Sequence, residues 1–290
     1  MIRAVGAALL EATEALRTAG SPMPRLDAEV LIAHVTGHDR AWVLAHPEAP
    51  LDEPSFAQAV ERRAAGEPVA YIRGFKEWHS LRILTDARAL IPRPETELLA
   101  DAAIAEIETR LSGAGCVVAW EVATGSGAIA VALAIHFRRA LADDRLTLIA
   151  SDLSAQALDL ATENLAAHHV DGLVRLLRSD LLGPAGGAQP RPEVVIANLP
   201  YVASAEVDER KGSLGFEPRI ALDGGPDGLV VLRRLFEQLS QRAAPGSTAL
   251  LEIGVGQAEV IGKLAPRGAS VSVVPDLAGL DRVLRVQLLP

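Results

Sequence analysis

The 290-residue chain is poor in cysteine, lysine and aromatic side chains, with one Cys, three Lys and 3% Phe, Trp and Tyr together. A single thiol excludes a disulfide framework and any cluster held by several thiolates. That thiol, Cys116, opens the apolar run Cys116-Val117-Val118-Ala119-Trp120 and reads as a small core residue rather than a nucleophile. Positive charge is also short: 28 Lys and Arg face 37 Asp and Glu, a formal net charge of −9. This argues against a broad basic face, so stable nucleic-acid binding is not expected. No stretch approaches the roughly 18 uninterrupted apolar residues that a membrane span requires. Near the N-terminus the only early cation is Arg3 and the apolar run stops at Glu11, so neither a signal peptide nor a membrane anchor is expected. The expected setting is cytoplasmic, and the expected state a monomer. Among seven histidines only His168 and His169 are close together, and neighbours on a helix point about 100° apart, so no metal site is expected. Ala128 stands where a Gly-x-Ser-x-Gly elbow around Ser126 would need glycine, which argues against a hydrolase.

What is present is apolar bulk: 49% of the residues are hydrophobic and 22% charged, ample for two folded domains. Val5, Leu9, Ala12 and Leu16 recur at helical spacing up to the breaker Gly20-Ser21-Pro22. A second helix is expected around Leu26, Val30, Ile32 and Val35 up to Gly37, and a third over 53–65, stopped by Gly66-Glu67-Pro68. From Val69 to Ile91 strand formers such as Tyr71, Ile72, Phe75, Trp78, Leu81 and Ile83 suggest an extended linker or hairpin. The expected organisation is a helical domain over 1–72, a hairpin or linker over 73–92, and a larger domain over 93–290.

In that larger domain, strands and helices alternate, which predicts an α/β fold with a mostly parallel sheet covered on both faces. Strands are expected over 116–122, 146–151, 173–177, 194–197, 248–253, 271–274 and 283–288. Helices are expected over 97–111, 128–141, 155–168, 229–243 and 257–264. Gly and Pro concentrate over 183–192, which reads as a loop.

Between the first strand and its helix lies Glu121-Val122-Ala123-Thr124-Gly125-Ser126-Gly127. Glycines there permit a tight turn against a ligand, with free helix N–H groups beyond it. Ala123, Thr124, Gly125, Ser126 and Gly127 are therefore candidate cofactor-binding residues. Gly125-x-Gly127-x-x-Ala130 also satisfies a dinucleotide pattern, which keeps a dehydrogenase in view. Asp152, ending the second strand, can accept both hydroxyls of a ribose, or simply turn the chain with Ser154. Asp180, ending the third, can take the amino group of an adenine.

Asn198-Leu199-Pro200-Tyr201 follows the fourth strand. The Asn198 side-chain carbonyl can accept from a planar –NH2 group, and the Leu199 backbone carbonyl can accept its second hydrogen. Holding both hydrogens aims the nitrogen and enriches its lone pair, which is positioning with electrostatic help. Pro200 limits backbone freedom, and Tyr201 offers an aromatic face for a flat group. Asn198, Pro200 and Tyr201 are the candidate catalytic residues, and Asn198, Leu199, Pro200 and Tyr201 the candidate substrate-binding ones. Asn198 also belongs to the expected cofactor wall.

With these motifs the chain resembles the HemK-type protein-(glutamine-N5) methyltransferases of peptide chain release factors. Further segments resemble that family: Gly66-Glu67-Pro68-Val69-Ala70-Tyr71-Ile72, Ile91-Pro92-Arg93-Pro94-Glu95-Thr96-Glu97, Phe216-Glu217-Pro218-Arg219-Ile220-Ala221-Leu222, Gly224-Gly225-Pro226-Asp227-Gly228-Leu229, Leu251-Glu252-Ile253-Gly254 and Asp276-Leu277-Ala278-Gly279-Leu280-Asp281-Arg282. The resemblance implies a Rossmann-like class I methyltransferase core with a seven-stranded sheet. It also implies a small helical N-terminal domain of about five helices that docks the release factor. S-adenosyl-L-methionine is the implied cofactor, held by residues 123–127 and Asp152, with Asp180 and Leu181 flanking its adenine. The implied acceptor is the glutamine of the release factor's Gly-Gly-Gln loop, held by Asn198 to Tyr201. Two departures stand out: Glu121 and Ala123 where the family usually has Asp and Gly, and Leu199 where it usually has Pro. Asn-Leu-Pro-Tyr also resembles rRNA adenine dimethyltransferases, so an adenine-N6 acceptor is the alternative. A binding module without catalysis is a third reading.

Overall fold

The computed structural model describes residues 2–113, 115–183, 188–210 and 212–290; four residues of the loop expected over 183–192 lie outside them. The chain forms two compact units, one of Met1–Lys76 with Arg210–Glu217 and one of Glu77–Glu209 with Pro218–Pro290.

The first unit is helical. A short strand β1 (Ile2–Ala4) leads into α1 (Val5–Thr18), followed by α2 (Pro24–Thr36), α3 (Arg40–Ala45), β2 (Pro50–Asp52), α4 (Glu53–Ala64) and α5 (Val69–Arg73). The apolar stripe Val5, Ala8, Ala12 and Leu16 of α1 meets Leu31 and Ile32 of α2 and Phe56 of α4 in one core. Gly37, in the left-handed region, closes α2 as its C-cap. The strand-like stretch 69–73 is helical, because Pro68 supplies a carbonyl that the amides of Tyr71 and Ile72 both use. Buried Arg63 binds Asp27 at 2.7 Å and reaches Ser213 Oγ at 3.1 Å, so 210–217, far on in the chain, packs here.

The second unit begins at Glu77, within the first strand of a hairpin of β3 (Phe75–Trp78) and β4 (Leu81–Leu84). Its two turn residues, His79 and Ser80, both have positive φ, which matches the right-handed twist of the strands. Then come α6 (Thr96–Leu111), β5 (Val117–Val122), α7 (Ala128–His136), α8 (Arg138–Ala142), β6 (Leu146–Asp152), α9 (Ala155–Ala167), β7 (Val174–Arg178), β8 (Val194–Ala197) and α10 (Ser204–Asp208). The chain ends with α11 (Val230–Arg242), β9 (Thr248–Glu252), α12 (Ala258–Leu264), β10 (Ser270–Pro275) and β11 (Asp281–Gln287). These give a seven-stranded sheet in the order β10-β11-β9-β8-β5-β6-β7, with β11 antiparallel to both neighbours and the pairs β9-β8-β5-β6-β7 parallel.

Both faces of the sheet are covered, so its central strands are mostly apolar, with polar residues such as Glu121 and Asp152 towards their carboxyl ends. One face packs Val117, Ala119, Leu148, Val194 and Ile196 against α6 and α7 through Leu99, Ala103, Ile107 and Leu133. The other packs Trp120, Val122, Ile149 and Val195 against α11 through Leu235, Phe236 and Leu239. Buried Trp120 satisfies its indole N–H on Ser151 Oγ at 2.8 Å. Two expectations fail. The helix expected over 128–141 breaks at Phe137, where φ −98 and ψ 18 leave the helical basin. Cys116 is exposed rather than in the core, because the strand begins one residue later at Val117.

Candidate functional site

The strand order reverses beside β5: the chain moves outward through β6 and β7, then returns to β8 on the other flank. Such a switch point leaves a crevice at the carboxyl ends of the strands, where α/β sheets hold ligands. A cavity occupies it, about 1180 Å³ including its open mouth, which is room for a nucleoside-sized ligand and part of a second molecule. Ala123, Thr124, Gly125, Ser126, Asp152, Asp180, Leu181, Asn198, Leu199 and Pro200 line it, together with Arg93, Thr96, Glu121, Pro218, Ile220 and Arg234. Gly127 and Tyr201 do not reach its wall.

The glycine loop is held from three sides. Thr124 N donates to Ser151 O at 2.9 Å, Gly125 N to Asp152 Oδ2 at 2.9 Å, and Gly127 N to Thr124 O at 2.9 Å. Ala123, Gly125 and Gly127 all have positive φ, at 57°, 56° and 79°. Ala123 thus takes a conformation that costs a non-glycine residue about 1–2 kcal/mol. A methyl at Gly127 would lie 3.0 Å from Ala161 Cβ, so glycine there sets the closeness of α7 to α9. A residue that sequence reasoning missed completes the support. Fully buried Asn164 donates to Ser126 O at 2.9 Å and to Leu84 O at 3.0 Å, and accepts from Leu84 N at 2.7 Å. It ties α9, the hairpin and the loop together. Its helical spacing alone gives no sign of this task.

Two acids face the loop. Glu121 is buried under α7, and burial pushes its carboxyl up to about 8; the negative charge of Asp152 adds to this, while Thr124 and the Ala130 amide oppose it. Neither Glu121 Oε2 nor Thr124 Oγ1 completes a hydrogen bond among the described residues. Burial also raises the Asp152 carboxyl, against the amides of Ser154, Gly125 and Leu153. Both Asp152 oxygens accept backbone N–H groups, Oδ1 from Ser154 at 2.8 Å, so the acid turns the chain as well as facing the cavity. Asp180 is exposed and ion-paired with Arg234, a partner not foreseen.

Opposite lies the turn after β8. Asn198 Nδ2 donates to Thr96 Oγ1 at 3.1 Å, with the amide assigned in that sense. Leu199 is buried in the core on the α11 face. Gln257 Nε2 donates to Tyr201 O at 3.2 Å, and Val202 N to Leu222 O at 3.1 Å. A methyl at Gly224 would sit 2.6 Å from Pro200 O, so the close packing behind the turn requires glycine there. Burial pushes the Tyr201 hydroxyl up, with Glu252 adding to the effect and Arg93 opposing it. Among the described residues, no three His, Cys, Asp or Glu side chains are grouped to hold a metal ion, and no helix is long and apolar enough to cross a membrane.

The arrangement sets a recess with room for a nucleoside beside the Asn198 carboxamide. Residues 7–74 match the family described as the PrmC N-terminal domain. A release factor glutamine methyltransferase of Rhodopirellula baltica is 37% identical over 284 residues, covering 95% of this chain and 93% of that protein. One of Moorella thermoacetica is 37% identical over 281 residues, covering 95% of each. In fold, the crystal structure of a methyltransferase from Pyrococcus furiosus superposes with a TM-score of 0.50 at 18% identity, over 73% of this chain and 91% of that one.

Proposed function

Because the chain belongs to the release factor glutamine methyltransferases, we propose that it methylates the side-chain amide nitrogen of the Gly-Gly-Gln glutamine in peptide chain release factors, with S-adenosyl-L-methionine as donor. The observation that carries this reading to the residues is the Asn198 carboxamide. Its –NH2 is engaged by Thr96, which leaves its carbonyl oxygen as the group offered to the cavity.

Features of the recess support a donor of this kind. Thr124 Oγ1 and Glu121 Oε2 are buried without partners, and a methyl built at Gly125 would touch only Ala89 Cβ, at 3.9 Å. Residues 123–126 would hold it by backbone and hydroxyl, with Gly127 shaping the loop behind them, Asp152 by its carboxylate, and Leu181 by apolar contact. Asp180 is placed to help at the adenine edge only if it shares its charge between the ligand and Arg234. When bound, this cofactor supplies an electrophilic methyl group on a sulfonium.

The chain's own residues prepare the acceptor. Asn198 Oδ1 and the Leu199 backbone carbonyl each accept one N–H of the glutamine amide, which fixes the nitrogen's direction. As that nitrogen becomes tetrahedral its N–H bonds grow more polar, so both contacts strengthen in the transition state. Transfer would break the donor's S–C bond and leave a neutral thioether, form one N–C bond, and release one amide proton to water at the cavity mouth. Pro200 and Gly224 keep the turn rigid, and Tyr201 supports it from behind the cavity wall, its carbonyl held by Gln257. The first unit is proposed to dock the release factor, with one copy of the enzyme per substrate, in the cytoplasm and without stable nucleic-acid binding.

The test is incubation of the protein with a release factor and labelled S-adenosyl-L-methionine. One methyl on the Gly-Gly-Gln glutamine is expected, and no transfer there would sink the proposal. The adenine-N6 alternative finds no such support among the relatives.

A further inference from the structure

We infer that Gln238 of α11 is a positioning residue for the cofactor: it holds the left-handed turn at Leu181 and thereby gives the recess a preference for a 6-amino purine. The inference rests on the S-adenosyl-L-methionine reading above.

The chain leaves β7 through Ser179, whose N–H donates to Asp152 O at 3.0 Å, and turns at once. Gly183 N closes the turn on Asp180 O at 3.0 Å, with Leu181 and Leu182 as its two inner residues. Leu181 has a φ of 56° at the first inner position. Gly, Asn and Asp dominate such positions, because a larger side chain drives Cβ against the following carbonyl. What leucine adds is an apolar side chain, 6% exposed, that forms part of the cavity wall beside Asp180. Strain of this kind persists only where the surroundings over-determine it.

Gln238 supplies that constraint. Its Oε1 accepts from Leu182 N at 2.8 Å, and its Nε2 reaches Asp180 O at 3.5 Å, so one carboxamide spans the turn. Leu182 is 1% exposed, so removing the acceptor leaves a buried N–H unpaired and lets Leu181 relax to negative φ. The support is rigid, since Leu235, Phe236 and Leu239 beside Gln238 are buried in the core. Arg234, one turn earlier on the same side of α11, pairs with the Asp180 carboxylate. Both of those side chains are nearly half exposed, so water screens the pair. Arg234 can aim the carboxylate; the contact that holds the backbone under it belongs to Gln238.

Selectivity follows from donors and acceptors. The Asp180 carboxylate only accepts. It can receive an N–H of a 6-amino purine, whereas a 6-oxo purine turns lone pairs towards it. That contrast lasts only while the turn keeps Asp180 at the cavity edge.

The experiment titrates wild type, Gln238→Met and Gln238→Glu calorimetrically with S-adenosyl-L-homocysteine and with S-inosyl-L-homocysteine, which carries oxygen in place of the amino group. Melts run alongside establish that each variant is folded. Wild type should bind the adenosine ligand at least about tenfold more tightly than the inosine one. Gln238→Met should lose about tenfold in affinity for the adenosine ligand and less than about twofold for the inosine one, so the preference collapses. Gln238→Glu keeps an acceptor for Leu182 N and should retain at least about a third of the wild-type affinity. A wild type indifferent to the base would overturn the inference. So would an equal loss for both ligands in Gln238→Met, which marks mere loosening of the fold, an unchanged preference, or a Gln238→Glu as weak as Gln238→Met. Binding of neither ligand by the wild type would instead strike the cofactor reading.

Discussion

Replacing Asn164 by aspartate changes one group, an –NH2 for an oxygen, at a fully buried position. The new side chain still accepts from Leu84 N, now 2.7 Å away, but cannot donate to Leu84 O or Ser126 O, now 3.0 and 2.9 Å away. Two buried carbonyls lose partners and face lone pairs, at about 1–3 kcal/mol each, so about 3 kcal/mol in total is expected at neutral pH. For a unit of this size, about 2–4 °C per kcal/mol converts that loss into a fall of about 9 °C in melting temperature. The sign of the pH dependence follows from the same geometry. The introduced carboxyl would be buried against the Leu84 and Ser126 carbonyls, so folding raises its pKa. Its protonated form, with one O–H donor, is the better fit. The variant should come closest to wild type in acid, and lose ground as pH rises from the unfolded-state pKa through the folded one. Calorimetric melts of both proteins from pH 5 to 8 measure this. Because Ser126 O belongs to the glycine loop, S-adenosyl-L-methionine titrations of the variant should also show weaker binding. A drop below about 3 °C at neutral pH, or a difference that does not widen with pH, would refute the reasoning.

Asn198→Ala should lower kcat by about 10²–10³ while leaving cofactor binding near wild type, measured by single-turnover methyl transfer and calorimetry; unchanged turnover would remove the role assigned to its carbonyl. Gly127→Ala brings a methyl to 3.0 Å from Ala161 Cβ at a φ of +79°, so a stability loss of about 2 kcal/mol and weaker cofactor binding are expected. An unaltered melt would show that α7 and α9 have slack. Glu121 has a folded-state pKa pushed up to about 8, so its contribution to stability is full below its unfolded pKa and declines as pH rises through about 8. Glu121→Gln should therefore gain on wild type in melts as pH increases, and a gain that shrinks with pH would contradict the burial argument.

The sheet was legible because its strands are continuous apolar runs flanked by turn chemistry. The strand expected over 194–197 is β8 as observed, residue for residue. The helix over 128–141 was overrun because Phe137 and Leu141 keep an apolar rhythm across a backbone break. Helices α3 and α5, of six and five residues, are too short to establish a period of 3.6. The packing of 210–217 with the first unit depends on Arg63 and Ser213, 150 positions apart, which no local pattern encodes. At the cavity, residues at strand ends declared themselves by position, but those that hold them did not. Asn164 looks like any polar helical residue. Thr96 reads in the sequence as the start of a helix, with no sign that it binds Asn198. Tyr201 and Gly127 lie behind the cavity wall rather than on it, because a motif gives order along the chain and not depth.

The detour at 210–217 bears on how such enzymes can be recombined. The first unit is stitched from two pieces of chain, and the family match at 7–74 spans only the larger. A single splice near residue 76 would bring a foreign Arg63 without the residue that stands in its own chain where Ser213 stands here. Grafting the helical unit from a relative therefore needs two cuts, the second in the stretch between the acceptor turn and Pro218. The unit that is proposed to choose the protein substrate and the turn that is proposed to hold its glutamine are, in hereditary terms, linked cargo.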